Sequence, residues 1–122
     1  MPIVNITLKS GKDPAFLKSL SDIVHSAMID TINCPHQTLY HVIHEVSKDN
    51  LIYLDEYKGM QRTDNAIVLQ ITLKEGRTPE QKQAMYERIT LDLHTQLGVR
   101  TEDLFIILTQ NAAEDWYFGK PG

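Results

Sequence analysis

The stretch "NITLKSGKDP" at Asn5–Pro14 has a near copy, "QITLKEGRTP", at Gln70–Pro79. The copies lie 65 residues apart and agree at six of ten positions. The same offset, carried forward without gaps, pairs apolar residues as far as Ile43 with Leu108. An internal repeat decides the architecture before any single motif does. The chain therefore contains a duplicated structural unit of about 45 residues.

The first unit predicts a strand, a helix and a second strand. Apolar and polar residues alternate over Val4–Leu8, the period of a strand with one buried face. Gly11 interrupts the alternation, and Asp13 is a typical N-cap for a helix that begins with proline. We expect this helix to end near Asn33 and a second strand to cover Thr38–Val46.

The second unit predicts the same three elements. Alternation recurs over Leu69–Leu73, and Thr78 with Gln81 forms a capping box around the start of a helix that ends near Leu97. The apolar stretch "DLFIILTQ" then predicts the closing strand. A helix that joins two parallel strands crosses over right-handed, which places both helices on one face.

These units predict an α+β fold, with a four-stranded mixed sheet, two helices on one face and pseudo-two-fold symmetry. We expect the polar connector to be a loop with a short extended piece, or else to cross over a pocket. The predicted divisions of a single domain spanning 1–122 are unit one at 2–46, the connector at 47–65, unit two at 66–110 and an aromatic tail at 111–122.

Composition excludes several classes of protein. Hydrophobic residues make up 42% and charged residues 23% of the chain, which is ordinary for a globular domain. A net charge of −4 provides no basic surface for nucleic acid or for anionic membranes. Cys34 is the only cysteine, so no intrachain disulfide is expected. With no apolar run long enough to span a membrane and no signal-peptide pattern, we expect a cytoplasmic protein.

The histidines do not predict a metal site. His41 and His44 are separated by an odd spacing on a strand, so their side chains should point to opposite faces. His25 and His94 are interpreted as half-buried structural residues. The sequence also lacks a glycine-rich nucleotide motif and a nucleophile elbow. We therefore expect no cofactor and no metal.

The turns that follow the first strand of each unit are candidate anion sites. Each turn delivers a cation next to a helix N-terminus, whose free N–H groups and dipole favour an anion. Arg77 offers a planar fork suited to a carboxylate, and Lys74 could reach the same place. Such cations are more often solvated, and this signal is weak by itself.

Pro2 is the candidate proton carrier. Removal of Met1 before a small residue would expose a secondary amine at the start of a buried strand. Free α-amino groups titrate near ~8. Apolar surroundings and nearby cations would lower the pKa and leave a neutral amine that can exchange protons near neutral pH.

The beginning "MPIVNITLKSGK" and the duplicated unit resemble the tautomerase superfamily. This family includes 4-oxalocrotonate tautomerase, macrophage migration inhibitory factor and malonate semialdehyde decarboxylase. The resemblance covers nearly the whole chain. The stretches "LKEGRTPEQK" and "DWYFG" are most similar to the decarboxylase-like branch, which implies a homotrimer. The second unit has Ile67 opposite Pro2, which predicts one site per chain.

The resemblance implies a role for each matching residue. Pro2 corresponds to the family's catalytic N-terminal proline, and Arg77 to the arginine that holds a substrate carboxylate. Lys74 occupies a position where some dehalogenase-like members carry a second arginine. Trp116 and Phe118 correspond to aromatic residues that wall the pocket.

Departures from the family pattern leave the reaction open. Thr38 stands where the decarboxylase branch has an aspartate, and Glu75 where it has a second arginine. Tyr40, with its counterpart Phe105, stands where simple tautomerases have an arginine. In dehalogenases an acid near the C-terminus helps to activate water, and the nearest match to that acid in this sequence is Tyr117. Thr38, Tyr40 and Tyr117 are therefore further candidate site residues.

Three functions follow from this pattern. The first is a tautomerase that uses Pro2 to move a proton in a small 2-oxo carboxylic acid. The second is a hydratase or decarboxylase of an unsaturated or semialdehyde acid, in which Pro2 would act as an acid. The third is a non-catalytic oligomeric binding protein that retains the fold.

Overall fold

The computed structural model describes residues 2–122, so that Met1 lies outside the described residues. The main elements follow the predicted order, with a short hairpin inserted in the connector. They are β1 (Ile3–Lys9), α1 (Pro14–Ile32), β2 (His41–Val46), β3 (Glu56–Tyr57), β4 (Met60–Gln61), β5 (Ile67–Lys74), α2 (Pro79–Leu97) and β6 (Leu104–Asn111).

The second strand is shorter than predicted. It begins at His41 and not at Thr38, because Thr38 belongs to a turn in which both its N–H and its hydroxyl bond to the Pro35 carbonyl. Such local side-chain bonds compete with strand pairing. The other boundaries of the repeated elements lie within about two residues of the predicted ones.

The four long strands form one mixed sheet in the order β2-β1-β5-β6. Within each unit the two strands are parallel, and β1 pairs antiparallel with β5 between the units. Because Ile3 pairs with Thr72, the beginning of β1 lies beside the end of β5. This register brings Pro2 and the turn that carries Arg77 to the same end of the sheet.

Both helices begin with the capping residues that the sequence predicts. The Asp13 carboxylate accepts a hydrogen bond of 2.8 Å from the Phe16 N–H, which stabilises the start of α1. Thr78 and Gln81 form the reciprocal capping box at α2. Asn33 and Gly98 end the two helices in the left-handed conformation.

The core lies between the helices and one face of the sheet. The alternating strand residues that predict a buried face are indeed buried, and they pack against the apolar stripe of each helix. The other face carries no helix and exposes Val42, Phe105 and Ile107. No helix among residues 2–122 is long and apolar enough to cross a membrane.

The connector folds back onto the start of β6 through a buried carboxylate. Asp103 is fully buried and accepts hydrogen bonds of 2.6 Å from both the N–H and the hydroxyl of Thr63. Arg100 lies 3.5 Å from the same carboxylate and donates to the Gln61 carbonyl. These bonds fix the hairpin of β3 and β4 against the sheet.

Candidate active site

Pro2 lies in a pocket of about 430 Å³ at the beginning of β1. Pro2 itself is buried, although its predicted role depends on the loss of Met1, which lies outside the described residues. Aromatic rings supply most of the lining, as is common for small-molecule pockets. The lining residues are Pro2, Ile3, Tyr40, Trp116, Tyr117, Phe118 and Gly119.

The aromatic tail is held against the sheet by Trp116. Its indole N–H donates a hydrogen bond of 2.6 Å to the side chain of Asn111, the last residue of β6. The Trp116 ring also stacks on Phe118 with 5.9 Å between centroids. Tyr117 and Phe118 stay 82% and 67% exposed, a large apolar surface for one chain to leave in water.

Arg77 is positioned by the end of α1, an element of the other unit. Its Nε–H donates to the Ile32 carbonyl at 3.1 Å, and Nη1 donates to the Lys74 carbonyl at 3.2 Å. Nη2 contacts the Cys34 sulfur at 3.7 Å. A guanidinium has five N–H groups, so two remain after these contacts, enough for one bidentate carboxylate.

Arg77 and its neighbour Cys34 lie outside the lining of the Pro2 pocket. The thiol is buried, and this burial raises its pKa, partly opposed by the Arg77 guanidinium. A protonated thiol leaves the guanidinium charge uncompensated. Further along the chain, Tyr40 lines the pocket, and its backbone carbonyl accepts a hydrogen bond from the Val4 N–H of β1.

Lys74 and Thr38 lie apart from this arrangement. Lys74 is exposed and alternates with the buried residues of β5, so its side chain points to the sheet face without helices. Arg77 instead lies against the helix layer, and the two cations do not converge within one chain. Thr38 lies outside the pocket lining, and its hydroxyl donates to the Pro35 carbonyl.

His41 and His44 point to opposite faces of β2, as predicted, whereas His94 is exposed and not half-buried. His41 accepts or donates at Nδ1 to the Ser21 hydroxyl of α1, whereas His44 bonds to Asn5 on the opposite face. Burial lowers the pKa of His41 to about 4, with a further contribution from nearby His25. Among residues 2–122, no group of three His, Cys, Asp or Glu side chains could hold a metal ion.

Sequence reasoning did not identify Ile3 and Cys34 as parts of this region. Ile3 follows the predicted proline, and its alternation with buried Val4 indicates the open sheet face. Cys34 offers no local signal, because its contact with Arg77 joins residues that are 43 positions apart.

Comparison with known proteins identifies relatives along the whole chain. A family profile described as a tautomerase enzyme matches residues 38–119, and a second profile with the same description matches residues 2–61. The probable tautomerase YusQ of Bacillus subtilis (strain 168) is 44% identical over 98% of this chain and 94% of its own length.

Solved structures share the fold. A malonate semialdehyde decarboxylase superposes with a TM-score of 0.90 at 27% identity, covering 97% of this chain and 91% of the other. A fused 4-OT, described as an asymmetric trimer, superposes with a TM-score of 0.78 at 20% identity, over 96% and 92% of the two chains. The duplicated fold, the family profiles and the 44% identical relative together show that this chain belongs to the tautomerase family of enzymes.

Proposed function

We propose that this enzyme is a tautomerase of a small 2-oxo carboxylic acid, with the amine of Pro2 as the proton carrier. The observation that supports this most is the position of Pro2, buried at the base of an aromatic pocket and at the same end of the sheet as Arg77. After loss of Met1, the proline nitrogen would be a secondary amine within that pocket.

The proposed reaction converts an enol to its keto form. The neutral Pro2 amine accepts the proton of the enol hydroxyl, and the carbonyl forms as the carbon–carbon double bond opens. The same proton then returns from Pro2 to the carbon, so that no atom is gained or lost. Proton transfer of this kind typically contributes ~10²–10⁴-fold to the rate.

Arg77 binds the substrate carboxylate in this proposal. The carbonyls of Ile32 and Lys74 hold its guanidinium in place before substrate arrives, so little ordering is required on binding. The positive charge also stabilises negative charge on the adjacent enolate oxygen. The stacked rings of Trp116 and Phe118 form an apolar wall of the pocket.

The direct test replaces Pro2. The Pro2→Ala variant keeps an amine after Met1 is removed but loses the secondary amine, and kcat/KM for the enol of phenylpyruvate should fall at least ~100-fold. The control is Pro14→Ala, at the first position of α1 and at the other end of β1. Intact mass of untagged protein must show loss of Met1. A retained Met1, or unchanged turnover in Pro2→Ala, would refute the proposal.

A decarboxylase or hydratase reaction is the second candidate, favoured by the similarity to the malonate semialdehyde decarboxylase. In that reaction protonated Pro2 would act as an acid. Thr38 and Glu75 stand where the resemblance leads us to expect an aspartate and an arginine, which weakens this candidate. Carbon dioxide release from a semialdehyde acid would identify a decarboxylase, and addition of water to an unsaturated acid would identify a hydratase, because tautomerisation does neither.

We also infer that the enzyme is a homotrimer. The sheet face without helices exposes Val42 and Ile107, and an apolar face of this kind is typical of an interface. The fused 4-OT that shares this fold is described as a trimer. Native mass spectrometry should give three times the 14.0 kDa chain mass, less three Met1 residues if these are removed. A monomer would contradict this inference.

A further inference from the structure

A second pocket, of about 460 Å³, lies at the beginning of β5. Ile67 opens β5 and is buried at the base of this pocket, and Phe105 of β6 forms one side. The connector covers it with the apolar segment 51–54. The pocket is at the opposite end of β5 from the turn that contains Arg77.

The repeat offset of 65 relates this pocket to the Pro2 pocket. Ile67 is the counterpart of Pro2, and Phe105 is the counterpart of Tyr40. The connector segment 51–54 is the counterpart of the tail segment 116–119. Two 3-10 turns, Lys48–Asn50 and Ala113–Asp115, precede these segments at the same offset. The duplication therefore produced two pockets, although the sequences of segments 51–54 and 116–119 are no longer similar.

The second pocket lacks the proposed chemistry of the first. The nitrogen of Ile67 belongs to a peptide bond with Ala66 and has no basic lone pair. The cations around the turn of unit one already have partners within the chain. Lys9 Nζ pairs with the Asp64 carboxylate at 2.8 Å. Lys12 donates to the Asn65 side chain at 2.9 Å. What remains is a binding surface without a proton carrier.

Arg62 gives this surface a charge. Its guanidinium lies 5.6 Å from the centre of the Phe105 ring and donates one hydrogen bond, to the Glu102 carbonyl at 3.1 Å. Among residues 2–122, no carboxylate lies within 4.0 Å of it. The pocket's carboxylate, Glu56, accepts the Gly59 N–H at 2.9 Å within the hairpin.

We propose that this pocket is a second, non-catalytic site for a small carboxylate with an apolar body. The apolar body occupies the space between Ile67, Phe105 and the connector segment 51–54, and Arg62 binds the carboxylate. Within residues 2–122, one of the five N–H groups of the Arg62 guanidinium donates a hydrogen bond, to the Glu102 carbonyl, so a charged acceptor can bind the others in a bidentate manner. The proposal does not depend on the reaction that takes place at Pro2.

The test uses the NMR signals of isoleucine methyl groups to distinguish the two pockets. Ile52 and Ile67 line the second pocket, and Ile3 lines the Pro2 pocket. Phenylacetate is titrated into full-length protein labelled at isoleucine methyl groups. The Ile52 and Ile67 signals should shift and saturate, whereas the neutral probe phenylacetamide should bind at least about tenfold more weakly because it lacks the charge. This comparison needs no variant.

The variants then test Arg62. Arg62→Gln should weaken binding of phenylacetate at least about tenfold, equivalent to 1.4 kcal/mol, and Arg62→Lys should lose less. Lys18→Gln is the matched control, since it removes one positive charge from an exposed position on α1 and should leave binding unchanged. The core methyl signals of Ile6 and Ile89 report whether each variant is folded.

Three results would overturn the proposal. The first is a shift at Ile3 alone, which would place phenylacetate in the Pro2 pocket only. The second is equal affinity for phenylacetate and phenylacetamide, which would leave Arg62 without a role. The third is a set of Ile52 and Ile67 signals that stay unchanged at all concentrations, as expected if a neighbouring copy of the chain fills the pocket.

Discussion

Replacing Asp103 should release the connector from the sheet and lower the free energy of unfolding of the whole chain. Its carboxylate is fully buried and accepts two hydrogen bonds of 2.6 Å from Thr63. Hydrogen bonds to a charged group contribute roughly 1.5–3 kcal/mol each. Asp103→Ala leaves both donors of Thr63 without an acceptor, so the free energy of unfolding should fall by about 3–5 kcal/mol. The exposed Arg100 adds little, because its contact is 3.5 Å and solvent screens it.

Urea unfolding, followed by far-UV circular dichroism at one fixed protein concentration, measures this loss. Asp103→Asn keeps one acceptor oxygen and should lose about half as much free energy of unfolding. Thr38 is the counterpart of Asp103 in unit one and bonds only locally, to Pro35. Thr38→Ala should therefore cost no more than about 1 kcal/mol. A loss below 1 kcal/mol in Asp103→Ala would show that the connector is held by other contacts.

Two further predictions concern pH and the site. His41 has a pKa lowered from 6.5 to about 4 by burial, so between these values the unfolded chain binds more protons than the folded one. Stability should therefore fall as pH drops from 6.5 toward 4, by up to about 3 kcal/mol, and His41→Gln should remove most of that loss in urea unfolding at pH 4.5 and 7. An equal pH dependence in both proteins would contradict this assignment. Arg77→Lys keeps the charge but loses the planar fork, so KM for the 2-oxo acid should rise about tenfold or more with a smaller change in kcat. An unchanged KM in steady-state kinetics would remove Arg77 from carboxylate binding.

Much of the fold could be predicted because its signals are local. Alternation on β1 and β5, the cap at Asp13 and the capping box at Thr78 each depend on residues within a few positions of one another. The strand boundary at Thr38 was wrong because a turn bonded to Pro35 replaced strand pairing there. Strand propensity describes a half-buried surface and is easily outweighed by such local bonds.

The candidate site was only partly visible in the sequence. Pro2 was a candidate from its position after Met1, Trp116 became one through the resemblance, and both line one pocket in the structure. The role proposed for Arg62 was not foreseen, because its pocket is formed by a connector whose sequence no longer resembles the tail. Applying the offset of 65 beyond the predicted units would have paired Leu51 with Trp116 and revealed the second pocket.

The sequence by itself determined the two strand-helix-strand units, because alternation, turns and caps depend on neighbouring residues. Only the tertiary structure decided which groups the cations Arg77 and Lys9 contact. It anchored Arg77 on the end of α1 and paired Lys9 with Asp64. These are contacts between residues far apart in the chain, and their geometry depends on how the two units pack. Sequence spacing carries no information about that packing.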